Sequence, residues 1–155
     1  MEDTQIQRAR FGFWQKWMVV FSAISIILGL AMTFGSTSAI FQSYNRSIAE
    51  VFWGRTHLHE AVSSYHPWIF AVLGSSIAGW SVCYLYLALY PIKRRERWAY
   101  YCFILSLLIW APLDTGFSLY FGIHTEALFN LGAVAGFAIP LVAVHRDFFP
   151  KPGNE

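Results

Sequence analysis

Four stretches of the chain run apolar with almost no charge, and polar clusters separate them. They cover residues 17–34, 67–90, 98–114 and 127–144, and the only ionisable acid or base among them is Asp114. About 20 mostly apolar residues are needed for a helix to cross hydrocarbon, and only an internally bonded backbone survives there. The pattern therefore predicts four transmembrane helices. The third and fourth stretches are short, and Thr115, Ser118 and Thr125 extend them at their outer ends. Proline punctuates the pattern. Pro67 suits a first helical turn, where a missing N–H is harmless. Pro91 is expected to stop the second helix, and Pro112 and Pro140 fall near the ends of theirs. Trp14, Trp17, Trp68, Tyr90, Trp98, Tyr100, Tyr101 and Trp110 lie near segment ends, as in the aromatic belts at membrane–water interfaces.

Composition sharpens this reading. Of the 155 residues, 56% are hydrophobic and only 13% charged, whereas soluble domains carry about 25% charged residues. Such a chain cannot clothe a water-facing surface. The expectation is an all-α polytopic membrane protein, a four-helix bundle forming one membrane domain over residues 1–155. Arg8 and Arg10 precede the first apolar run, which raises a signal peptide as an alternative, but the run exceeds a signal core of about 7–15 residues. It is read as a retained helix. A net charge of +2 leaves no basic face for nucleic acid. The distribution of charge says more. Arg8, Arg10, Lys16, Lys93, Arg94, Arg95, Arg97, Arg146 and Lys151 fall in three regions on one side, and only Arg46 and Arg55 fall on the other. By the positive-inside rule both termini are expected in the cytoplasm.

The outer side then receives the candidate chemistry. Its first loop, residues 35–66, is too long for a turn. Ser47-x-x-Glu50 before Val51, Phe52 and Trp53 reads as a capping box opening a short interfacial helix. His57, His59, Glu60 and His66 follow in that loop, and His124 with Glu126 occupies the third loop. Imidazole and carboxylate are the ligands that zinc, copper or iron takes. These residues form a candidate metal or haem site, although no His-Glu-x-x-His spacing is present. If residues 56–66 are helical, His59 and His66 share one face, and His57 and Glu60 another.

Asp114 lies near the outer edge of the third segment, and an ionisable residue at membrane depth is a functional hypothesis by default. Trp110, Asp114 and Ser118 share a face if the helix continues. Asn130 should lie at a similar depth, so an Asp114–Asn130 hydrogen bond is expected. These four residues form a candidate ligand pocket opening outward. Cys83 and Cys102 show no metal or redox spacing and are expected to be buried packing residues.

Small residues at four-residue spacing let helices approach closely in lipid. Ser25-x-x-x-Gly29, Ala31-x-x-x-Gly35, Ala71/Ser75/Gly79 and Gly132-x-x-x-Gly136 fit that pattern. Gly29, Gly79, Gly132 and Gly136 are thus the expected packing positions, and one stripe also suits a homo-oligomer or docking to a larger membrane complex. The sequence carries no recognisable catalytic constellation. It reads as a non-enzymatic protein that binds lipid or a small apolar ligand, or serves as an accessory subunit, with a redox or metal-handling role as the alternative.

The run from Tyr90-Pro91 through Lys93-Arg94-Arg95-Glu96-Arg97-Trp98, then Trp110, Asp114-Thr115, Ser118, Gly122, Asn130 and Pro140-Leu141, resembles a group of small, uncharacterised bacterial integral membrane proteins with four helices. The resemblance covers the second half of the chain best. It implies a bacterial inner-membrane location and no particular reaction.

Overall fold

The computed structural model describes residues 2–150, which leaves Lys151 outside. Among the described residues every regular element is helical. Four helices are long and apolar enough to cross a membrane. The first is α1 (Glu2–Gly35). A 3-10 turn (Ala39–Phe41) leads into α2 (Gln42–Trp53), and α3 (Glu60–Ser63) is a single turn. The second long helix, α4 (His66–Leu87), runs on through a π turn (Ala88–Ile92). The remaining two are α5 (Arg97–Tyr120) and α6 (His124–Phe148).

The long helices exceed the apolar stretches. At 1.5 Å per residue α5 spans about 36 Å, more than the roughly 30 Å of hydrocarbon. It does not end at Asp114 but continues to Tyr120, and α6 begins at His124 rather than 127. Only residues 121–123 join them, with Gly122 at φ 77°. Pro91 does not stop its helix. It lacks an N–H and crowds the preceding turn, and the backbone absorbs this by widening into a π turn. Pro112 and Pro140 lie inside α5 and α6.

Contacts place three chain regions at one end of the bundle. Gln7 and Arg10 reach Asp147, Arg95 lies over the Phe11 ring, and the Arg97 guanidinium donates from Nε to the Phe148 carbonyl at 3.1 Å. We call this the basic end. The far end carries α2, α3 and the α5–α6 turn.

The core sits in the basic half, where Phe11, Met18, Tyr84, Phe103, Phe137, Leu141, Val144 and Phe148 pack together. Ring pairs knit it: Tyr84 lies 4.7 Å from Phe103 and 5.0 Å from Phe137. In the far half α1 and α4 meet backbone to backbone. A Cβ on Gly29 would lie 2.6 Å from the Gly74 carbonyl and the Ala78 amide, and one on Gly74 would strike the Gly29 carbonyl. The α1–α4 crossing thus uses Gly74 and Ala78, not the Ala71/Ser75/Gly79 stripe. Gly136 is covered by the Phe21 ring, whereas Gly79 and Gly132 meet nothing within 4 Å. Many large apolar residues, Ile27, Leu108, Ile109, Leu131 and Val142 among them, point outward, as they must where lipid is the solvent.

Cys83 and Cys102 are exposed on the bundle surface rather than buried. A small apolar thiol is at home facing lipid, so the preference for burial seen in water does not decide its position here.

Candidate functional site

The continuation of α5 past Asp114 makes the site. Trp110, Asp114 and Ser118 fall on successive turns of one face, as the four-residue spacing requires. Asp114 accepts from Trp110 Nε1 at 3.0 Å on one carboxylate oxygen and from Ser118 Oγ at 3.3 Å on the other. Trp110 is held in turn by Trp80 of α4, ring centroids 5.7 Å apart. The carboxylate therefore has both oxygens engaged within its own helix.

Asn130 lies on the neighbouring helix α6. Asp114 and Asn130 are equidistant along the chain from Gly122, so the tight turn sets them at one level. The expected hydrogen bond between them is absent; the two hydrogen bonds that Asp114 accepts come from Trp110 and Ser118. Asn130 is only 3% exposed, and its amide nitrogen has no partner. One turn outward, Glu126 lies close enough to Asp114 for the two charges to interact.

Tyr44 of α2 completes the cluster. Its phenol lies near the Glu126 carboxylate, and its ring contacts Phe70 of α4 and Phe129 of α6. Burial first, and the adjacent Glu126 charge second, push the Tyr44 phenol well above its ordinary value. Ser47 accepts from Thr125 at 2.7 Å, which fastens α2 across the start of α6. Asn45 donates to the Ser36 carbonyl at 3.0 Å, while its own side-chain oxygen is buried without a partner.

Ser47 and Glu50 form no capping box. The helix begins five residues earlier, at Gln42, so Ser47 is mid-helix and Glu50 pairs with Arg46 at 2.8 Å. Sequence reasoning missed Tyr44 for this reason. Once α2 starts at Gln42, Tyr44, Ser47 and Ile48 fall on one face at helical spacing. Arg46 belongs to the exposed face, so among the described residues neither Asp114 nor Glu126 has an ion-pair partner.

The candidate metal residues are dispersed. Residues 56–66 do not form one helix. His59 instead caps α3, its Nδ1 accepting from the Ala61 amide at 3.3 Å. His66 is buried at the start of α4, its ring 4.3 Å from Phe70 and its Nε2 without a partner. His57, Glu60 and His124 are exposed. Among the described residues no three His, Cys, Asp or Glu side chains gather closely enough to hold a metal ion.

A second feature lies at the basic end. A groove of about 580 Å³ opens between the end of α4 and the start of α5, lined by Cys83, Tyr86, Leu87, Tyr90, Pro91, Arg94, Glu96, Trp98 and Cys102. It exists because α4 and α5 are bridged through side chains, Trp80 to Trp110 and Tyr84 to Phe103, rather than packed backbone to backbone.

Comparison with known proteins adds no relative: no family model, curated protein or solved structure matches this chain. The functional reading rests on the geometry.

Proposed function

We propose that this chain is a non-enzymatic membrane protein that binds a lipid or small apolar ligand bearing a polar head, held by Trp110, Asp114, Ser118, Asn130, Glu126 and Tyr44. One observation carries the reading. Two half-buried carboxylates interact with no cation beside them, and one turn along α6 from Glu126 a buried amide has an unused donor. Buried polar groups normally find partners, and a group without one marks a place for a ligand. Carboxylates accept and the Asn130 amide donates, so the matching head is a hydroxyl, which can do both, on an otherwise apolar molecule. Both termini are cytoplasmic in this reading, which is supported by the concentration of Lys and Arg at the basic end, and the bacterial inner membrane follows from the resemblance of the second half of the chain alone. In that orientation the site faces outward. Exposed Val51, Phe52 and Trp53 suit α2 to the outer interface.

The test is organic extraction and mass spectrometry of protein purified in mild detergent without chelator. A single amphiphile should co-purify, and Asp114→Asn with Asn130→Leu should lose it while remaining monodisperse. Indiscriminate lipid, unchanged by the substitutions, would overturn the reading. A Soret band or near-stoichiometric metal would replace it with a haem or metal role for His57, His59, His66 and His124.

A role as an accessory subunit is a second reading, favoured by Gly79 and Gly132, which meet nothing within the chain and suit close approach by a helix of a second copy or another subunit. A strictly monomeric protein with no associated partner in mild detergent would remove it.

A further inference from the structure

We propose that the groove at the basic end is a binding site for an anionic phospholipid, with the phosphate on Arg94 and one acyl chain running past Leu87 between Cys83 and Cys102. This site is separate from the one at the far end, and the two stand or fall independently.

Of the four basic residues at the α4–α5 loop, Lys93 is exposed and does not line the groove, and two others are engaged elsewhere. Arg95 is spent on the Phe11 ring, 4.7 Å from its centroid. Arg97 lies over Phe149 and donates to the Phe148 carbonyl. Both hold the loop onto the ends of α1 and α6. Glu96 accepts from Trp98 Nε1 at 2.6 Å, which pins its carboxylate. Arg94 is left with a single 3.9 Å contact to that engaged carboxylate, and its side chain is 72% exposed. It stands at the lip of the groove. A phosphate there would gain the bidentate contact that Glu96 does not supply.

The rest of the groove determines that the phosphate comes with a chain. Below Arg94 the walls are apolar, with exposed Cys83 and Cys102 on opposite sides. Cys83 lies roughly 16 Å along the helix from Arg94 at about 1.5 Å per residue. The groove thus has a charged lip and a long apolar body, which is the shape of a phospholipid. Tyr90, one turn below Arg94, stacks on Tyr86, centroids 5.8 Å apart, and so sets an amphipathic ring between the lip and the apolar body. Basic pockets between helices recognise anionic headgroups on this principle.

The experiment measures retained lipid by native mass spectrometry after exchange into mixed micelles of phosphatidylglycerol and phosphatidylcholine with identical chains. The intact protein should retain phosphatidylglycerol about five-fold over phosphatidylcholine. Arg94→Ala should abolish the preference, and Lys93→Ala, the same loss of charge one residue away, should leave most of it. Equal loss in both variants means diffuse attraction and overturns the proposal, as does equal retention of the two lipids by the intact protein. Cys83→Trp fills the groove and should reduce retention of both lipids. Should that variant misfold, a phosphatidylglycerol carrying a diazirine on its acyl chain decides the matter in the intact protein: crosslinks confined to residues 83–102 support the site, and crosslinks elsewhere refute it.

Discussion

The two halves of the bundle are held together by different means. The basic half has a core of large rings, and its polar groups are paired or exposed: Gln15 donates to the Ala88 carbonyl at 2.9 Å, Tyr100 donates to the Leu141 carbonyl, and Arg10 meets Asp147. The far half has almost no large core. There α1 and α4 touch through glycine backbones, and that end holds two carboxylates without a cation and two amides, Asn45 and Asn130, each with one buried atom unpaired. Packing in the first half specifies the bundle. Incomplete pairing in the second is what a binding site requires, since a fully satisfied cluster has nothing to offer a ligand. Binding sites carry local conflicts that the rest of a fold avoids, and here the conflict is confined to one end.

The largest expected effect tests the glycine contact. Gly74→Leu should separate α1 from α4 and destabilise the protein by more than about 3 kcal/mol, beyond ordinary overpacking, in thermal unfolding followed by circular dichroism. Removing a ring from the other half should come close behind. Phe103→Ala is expected to lose about 3 kcal/mol, the low end for such truncations, because lipid removes the water-transfer component. If Phe103→Ala is harmless, the basic half is not the structural half.

Asp114→Ala leaves the Trp110 N–H and the Ser118 hydroxyl without an acceptor and should destabilise by about 1–3 kcal/mol, with Asp114→Asn milder. A smaller effect comes from Tyr44. Its phenol is raised above the ordinary value of about 10, so the folded protein keeps a proton that the unfolded chain releases above that pH. The associated stability is intact below pH 10 and falls as pH rises beyond it, by up to about 1.4 kcal/mol at pH 11. Tyr44→Phe should flatten that decline relative to the parent, and identical pH profiles would show that the phenol is not buried against Glu126. Gly132→Ala should change stability by less than about 0.5 kcal/mol.

Four helices were legible in the sequence because hydropathy alone sets them. Their ends were not. Thr115, Ser118 and Thr125 were read as outer extensions of the apolar stretches, but hydropathy gave no end point, and α5 runs on to Tyr120 while α6 starts at His124. The face of α4 that meets α1 was also ambiguous. Small residues occur at both 71/75/79 and 74/78, and only the partner's Gly29 decides between them. Trp110, Asp114 and Ser118 were legible as one face from spacing. Asn130 was expected to bond Asp114 and does not, because the Asp114 hydrogen bonds run along its own helix to Trp110 and Ser118, which no pattern announces. Tyr44 left no signal until the start of α2 was known.

Both hydrogen-bond partners of Asp114 belong to its own helix. During biosynthesis α5 emerges before α6 exists, and a bare carboxylate near the edge of hydrocarbon would resist insertion. Trp110 and Ser118 let this segment carry its acid into the lipid already clothed. Glu126 has no such escort on α6 and relies on Tyr44 from an earlier part of the chain. The order of synthesis suits this division: α2 is already made when Glu126 leaves the ribosome, so the late acid meets a partner that is waiting for it.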